Sequence, residues 1–532
     1  MVGISSPLFA GVDVGSASVR VGLYDRTGAR RAFAVRPIQQ FRPCAGFVEQ
    51  SSSDIWEATC AAMKEALVEA GVPPSAVEAI GVDATCSLVA VGKDGASVSV
   101  AGDGNPGHDI IMWMDHRAGV EAADINATGD PALTYVGGEV SVEMELPKIL
   151  WLKRHLPESH AKVARYHDLA DHMVWRMTGA DVASVCTLGC KWNWLAHEER
   201  FPETLLEAVG LTELPSLVPA KIQPVGSLAG NLAPAAAREL GLEPGTAVAT
   251  GIIDAHAGGI ALAGSAPEGA MALISGTSNC HMVVSREAIM VPGVWGPYYG
   301  AMLPGWWLAE GGQSATGSLL DWTIRQSSAF PEAKAEADMK GRNVHAILGE
   351  WAEALVVREA HPTADLHVLP DHHGNRSPRA DPEARGTVMG LTLEEGPDAL
   401  ARLYLATIEG IAYGTRHVID AMNAAGHRID RLVMCGGSTK NPLLMRVHAD
   451  AIGLDIHLVE DEDAVTLGAG ILAAVAAGAF PSIPDAAAAM VRPGGKVASN
   501  PGARSYHDTK YRIFLDLYDQ QRAARTTMAA FR

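Results

Sequence analysis

The chain is 532 residues long, too long for one hydrophobic core, so two to four domains are expected. Its net charge of −19 excludes an extended basic surface for nucleic acid, and no apolar run reaches the roughly 18 residues of a membrane span. The seven scattered cysteines fit reduced thiols in the cytoplasm, and Met1 to Pro7 has neither the basic nor the apolar region of a secretory leader.

Strand and helix patterns alternate along most of the sequence, which predicts an α/β architecture. Residues 8–14, 18–24 and 32–38 read as an antiparallel meander of three strands. Residues 53–70 form an amphipathic helix with Ser53 or Asp54 as N-cap. A strand, turn and strand follow at 77–83 and 88–93, and helices are expected at 140–151 and 163–177. Cys186 and Cys190 make a CxxxC pair; lacking a second pair or a nearby histidine in the sequence, they read as free thiols. A buried strand at 247–252 leads, after Asp254, into a small-residue helix at 255–263. The Ala-Gly segment 258–269 is the expected boundary and hinge between two halves. Residues 334–368 read as a polar, helical insertion. A long helix at 397–425 has a small face of Ala401, Ala406, Gly410 and Gly414. A strand at 431–435, a helix at 441–452, a buried Ala/Gly-rich helix at 465–477 and a final helix at 505–530 complete the pattern.

One turn occurs twice. Phe9 to Leu23 and Ala270 to Val284 both read strand, small-residue turn, strand, with Gly15-Ser16 and Gly276-Thr277 aligned about half a chain apart. Such tips offer backbone N–H groups and hydroxyls, the donors a polyphosphate needs. Asp13 lies two residues before Gly15, and Arg20 projects from the return strand. A carboxylate beside a phosphate turn acts through Mg²⁺, because the bare anion would repel phosphate, or else bonds the backbone of its own turn. Gly436-Gly437-Ser438-Thr439-Lys440-Asn441 follows a strand and opens a helix; the glycines let a flat ring approach, and Ser438 and Asn441 can bond a nucleoside. Asp254 sits at a strand end among small residues, as a base for a substrate hydroxyl or as a helix N-cap. The adjacent His372 and His373 diverge and find no third ligand, so they do not read as a metal site.

In order along the chain, Asp13-Val14-Gly15-Ser16 with Arg20, Trp113-Met114-Asp115-His116-Arg117, Gly251 to Gly258, Ser275-Gly276-Thr277-Ser278, Glu310-Gly311-Gly312-Gln313-Ser314-Ala315-Thr316-Gly317 and Gly436 to Asn441 together resemble the FGGY family of carbohydrate kinases. The resemblance runs from about residue 8 to about residue 480. It implies a duplicated actin/hexokinase-like (ribonuclease H-like) α/β fold with a cleft between two lobes. The expected units are 1–262 with the sugar site and first hairpin, 263–490 with the nucleotide site, and 491–532 as a tail helix.

The resemblance also implies roles. Asp254 matches the general base and Asp13 the residue associated with Mg²⁺. Gly15, Ser16, Arg20, Gly276 and Thr277 match the phosphate side; Gly436, Gly437, Ser438 and Asn441 match the adenosine-binding turn. Asp115, Lys191 and Glu310 look like sugar-contacting positions, and Thr85-Cys86-Ser87 resembles the segment typical of D-ribulose kinases. Ser16 stands where many relatives carry Thr, which conserves the hydroxyl. The implied activity is ATP-dependent phosphorylation of the terminal hydroxyl of a ketopentose, D-ribulose first, with L-ribulose, ribitol and D-xylulose as rivals. A non-catalytic sensor on the same fold is the reading outside the class. The implied partners are a sugar and ATP in the cytoplasm, without nucleic acid or membrane, and with a homodimer left open.

Overall fold

The computed structural model describes residues 7–531. Met1 to Ser6 and Arg532 of the expected first and last units lie outside the described residues.

The chain builds two seven-stranded sheets with the same internal order. In the first, strand Leu8–Val14 lies at the centre. It pairs antiparallel with Ser18–Asp25, which pairs antiparallel with Arg30–Pro37. On its other side it runs parallel to Val77–Ala84, then come Ala247–Ala249 and the antiparallel edge strand Leu228–Asn231. The second sheet repeats this with Ala270–Ser275 at the centre. Asn279–Ser285 and Trp307–Gln313 extend it on one side; Arg431–Cys435, Ile456–Val459 and Pro493–Val497 extend it on the other. Register pairs Asp13 with Asp83 in the first sheet and Ile274 with Cys435 at the equivalent step of the second.

Two small-residue helices lie between the sheets. Helix Asp254–Ala263 follows the short strand Ile252–Ile253 of the first sheet, and helix Ala464–Ala476 belongs to the second half. The second helix lies on the first sheet, so closely that a methyl group on Gly11 would fall on the Thr466 carbonyl. The two helices touch where Gly468 meets the backbone of Ala257. Only small residues allow this approach, which explains the Ala/Gly richness of both segments.

Several expectations change. Helix Ser52–Ala70 is capped by Ser51, whose side chain accepts the Asp54 N–H, and not by Ser53 or Asp54. Strand Leu88–Gly92 leaves the first sheet for a four-stranded one. Residues 163–177 are not one helix. Val163–Asp168 pairs with Leu88–Gly92 as a strand, and Asp168 then caps helix Leu169–Thr178. Within 140–151 the helix starts only at Glu145 and continues to His155. The strand at 247–252 breaks at Thr250-Gly251. The first half of the hinge segment is helix, since Gly258 to Ala263 belong to the buried helix Asp254–Ala263. The tail is more than a helix, because Pro493–Val497 supplies an edge strand to the second sheet. Helix Arg504–Thr527 is anchored by a buried Lys510–Glu409 ion pair at 2.7 Å. The 334–368 region holds helices Phe330–Lys340 and Val344–Arg358. No helix among the described residues is long and apolar enough to cross a membrane.

Candidate active site

Parallel pairing sets Asp13 and Asp83 side by side at the ends of the two central strands, both fully buried. The Arg20 guanidinium reaches one Asp13 oxygen at 2.7 Å; among the described residues, the other Asp13 oxygen and both Asp83 oxygens have no partner beyond the two acids themselves. Arg20 stands opposite Asp13 in the hairpin and also reaches Asp463 at 3.1 Å, the N-cap of helix Ala464–Ala476. Burial pushes the Asp13 carboxyl up to about 7 against the pull of Arg20, and pushes Asp83 well above the usual range. Paired, unsolvated acids of this kind fit a divalent cation, which would supply the charge that burial denies them. Asp83 was visible only as a strand residue; its role follows from the parallel register.

Asp254 opens its helix in the first turn, while the N-cap position is Ile253. This removes the N-cap alternative for Asp254. Its Oδ1 accepts the Ala255 N–H at 2.7 Å, and part of its surface stays open to the cleft. Burial raises its carboxyl, and the charge of Glu310 adds to the rise. The charge of Asp254 in turn raises both Asp13 and Asp83, which places the three acids in one cluster.

The two hairpin tips are built differently from the expectation. The Gly15 N–H donates to the Ser18 carbonyl at 3.0 Å, and the Gly276 N–H to the Ser278 carbonyl at 2.9 Å. These two donors therefore close the turns. The Ser16 hydroxyl accepts the indole N–H of Trp113 at 3.0 Å, whereas Thr277 is exposed at its tip. Helix Gly317–Arg325 straps the second turn, with the Gly317 N–H on the Gly276 carbonyl and the Ser318 hydroxyl on the Thr277 carbonyl. At the third turn, Gly436 has φ +98° and packs on the Ser275 carbonyl, where any side chain would clash. Gly437 faces open space, so it is the glycine that leaves room for a ring. The Ser438 carbonyl accepts the Asn441 N–H. The Asn441 side chain is committed on both ends: its Oδ1 accepts the Leu444 N–H, and its Nδ2 donates to the Tyr404 hydroxyl at 2.8 Å.

Lys191 and Glu310 meet as expected, buried, with Nζ 4.0 Å from Oε2. The Lys191 ammonium lies 4.3 Å from the centre of the Trp295 ring. Burial raises the Glu310 carboxyl, but Lys191, His256 and Arg376 outweigh it and hold the group down at about 2. Arg376, from the dense polar loop after His373, was missed; it pairs with Glu143 at 3.3 Å across the two halves. Thr85 and Ser87 share a hydrogen bond at 3.2 Å, and Ser87 accepts the Trp113 N–H. Cys86 is a buried thiol raised by desolvation, with the Lys191 charge opposing. Asp115 is held by neighbours of its own. Its fully buried carboxylate accepts the Val48 N–H and both the backbone and the guanidinium of Arg117. Arg117 continues to Glu49 at 2.8 Å and stacks on Phe47 and Trp151. Both oxygens of Asp115 therefore already accept hydrogen bonds within the protein. The thiols Cys186 and Cys190 also change standing, because the fold brings His256 beside them.

Comparison with known proteins agrees with this architecture. Residues 8–261 match the FGGY family of carbohydrate kinases, N-terminal domain, and residues 271–477 match its C-terminal domain. The human FGGY carbohydrate kinase domain-containing protein is 43% identical, over 97% of this chain and 96% of its own length. A D-ribulokinase of Saccharomyces cerevisiae is 37% identical, over 89% of this chain and 72% of its own length. The structure is similar to that of a xylulose kinase from Rhodospirillum rubrum, with TM-score 0.81, 26% identity, and coverage of 98% of this chain and 99% of that one.

Proposed function

The chain belongs to the FGGY family of carbohydrate kinases and is an ATP-dependent phosphotransferase, and on that premise we propose that it phosphorylates the terminal hydroxyl of D-ribulose to give D-ribulose 5-phosphate. The observation that carries this reading is that Asp254 feels the charge of Glu310, which is itself paired with Lys191 at 4.0 Å. A base, a hydroxyl-orienting ion pair and a cation-compatible acid pair are what in-line phosphoryl transfer to a sugar needs. The likeness to the yeast D-ribulokinase supports the choice of sugar.

In this reading Asp254 accepts the proton of the attacking hydroxyl, and its raised carboxyl makes it a better base than an exposed aspartate. Lys191 donates to one sugar hydroxyl and Glu310 accepts from another, fixing the chain of the pentose. The Thr277 and Ser16 tips face the phosphates, and Gly437 gives the adenosine its open face. Mg²⁺ would be held at Asp13 and Asp83, whose buried paired carboxyls fit it, and when bound it supplies neutralisation of phosphate charge.

The test is ADP release from ATP and Mg²⁺ with D-ribulose, L-ribulose, ribitol and D-xylulose. D-Ribulose is expected to show the highest kcat/KM. A higher value for any of the other three refutes the assignment.

A further inference from the structure

A buried chain of side chains runs from the sugar pair into the first half of the molecule. His256, fully buried, is the third residue of the helix that begins with Asp254. Its Nε2 lies 3.1 Å from Glu310 Oε2, and its Nδ1 lies 3.1 Å from Cys186 Sγ. An ionised carboxylate only accepts, so Nε2 carries its proton and donates to Glu310. Cys186 sits on helix Val185–Lys191, the same short helix whose last residue brings Nζ to within 4.0 Å of Glu310 Oε2. That helix therefore reaches one oxygen of Glu310 twice, directly through Lys191 and indirectly through His256. Among the described residues, Oε1 takes no hydrogen bond and is left for a substrate hydroxyl.

The charges around the ring agree. Cys186 and Cys190 face it from their helix, Asp254 from its own helix and Glu310 from the strand, with Lys191 and Arg376 acting on Glu310 from beyond. Burial pushes His256 down, but Cys186 and Glu310 push it further up. Burial pushes the Cys186 thiol up, but its hydrogen bond with Cys190 and the charge of His256 bring it down. Both shifts run in the direction that favours a thiolate beside a doubly protonated ring.

Cys186, Cys190 and His256 also form a set of metal-binding types. Their Sγ–Nδ1 separation is that of a hydrogen bond. No fourth His, Cys, Asp or Glu joins the three among the described residues, whereas structural zinc takes four ligands. We infer that Cys186 and His256 are positioning residues for the sugar: Cys186 pins the His256 ring, whose Nε2–H fixes Glu310 Oε2 so that Oε1 faces the substrate. This inference rests on the reading of Glu310 as a sugar contact.

The test uses the full chain as Cys186→Ala, Cys186→Ser and Glu310→Gln. It measures kcat and the KM values for ATP and for the pentose of the panel turned over fastest, across pH, together with zinc content. Cys186→Ala is expected to raise the sugar KM about tenfold, the scale of one charge-assisted hydrogen bond, and to leave the ATP KM within about twofold. It should also shift the alkaline limb of kcat/KM for the sugar about one unit to lower pH, because the thiolate no longer holds the second proton on His256. Cys186→Ser should fall between the two, and it carries the pH measurement if the alanine variant does not fold. An unmoved sugar KM and alkaline limb in the cysteine variants overturn the inference, as does one equivalent of bound zinc. If Glu310→Gln weakens sugar use while the cysteine variants do not, only the positioning role fails. If Glu310→Gln changes nothing, the sugar-contact reading fails first.

Discussion

Gly468→Ala tests how tightly the base depends on the helix pair. A methyl group at this position would lie far inside the 3.0 Å limit of real Cβ contacts, against the Ala257 carbonyl. That partner is backbone, so no side chain can swing away, and the helices must part by about 1 Å. Overpacking of this kind costs about 1–3 kcal/mol. At about 2–4 °C per kcal/mol for a unit of roughly 250 residues, Tm should fall by roughly 2–12 °C. Ala257 is three residues beyond Asp254 on the same helix, so the shift reaches the base. A misplacement of about 1 Å can cost about 10²-fold in rate, which is the expected loss of kcat. The assay pairs coupled ADP release with thermal melting, and Gly437→Ala, whose Cβ meets nothing, is the stability control. Wild-type kcat and Tm in Gly468→Ala would refute the claim that this contact sets the position of Asp254.

Asp254→Asn keeps the acceptor for the Ala255 N–H but loses the base; kcat should fall at least about 10²-fold while ATP affinity measured by calorimetry stays unchanged. Near-normal turnover would remove Asp254 from the mechanism. Thr277→Val deletes an exposed hydroxyl at the second tip and should raise the KM for ATP more than that for the sugar; equal effects would make Thr277 a turn residue only. Glu310 is held down from 4.5 to about 2, so its ionised form stabilises the fold above pH 4.5 and that contribution, roughly 3 kcal/mol, is lost as pH falls toward 2. The stability gap between wild type and Glu310→Gln in urea should therefore narrow from pH 6 to pH 3.5, and a constant gap contradicts the ion-pair origin of the shift.

Much of the fold could be read locally. The two hairpins, the long helix Pro397–Ala425 and strand Arg431–Cys435 carry their periodicity and breakers within a short window. Residues 163–177 could not be read this way, because a six-residue buried strand and the start of a helix show the same apolar density. The acids Asp13 and Asp254 stood out as charges at strand ends among small residues. The partners of the site did not: Cys186 and His256 are 70 residues apart, and Arg117 and Glu49 are 68 apart. The bonds of Asp115 were no easier to see, since the Val48 N–H that it accepts lies 67 residues away.

The repeated sheet has a further consequence at the pair Asp13–Asp83 and its counterpart Ile274–Cys435. The strand order alone is the same in both sheets and does not distinguish one hairpin from the other for a ligand. The side chains remove that degeneracy. An anion resting along the second hairpin meets an aliphatic chain and a thiol at the strand ends. Reversed end for end, it would press against two buried acids, which welcome an anion only through a bound cation. A molecule assembled from two copies of one plan thus acquires a direction, and it does so by neutralising the acids of one copy, not by altering the path of either.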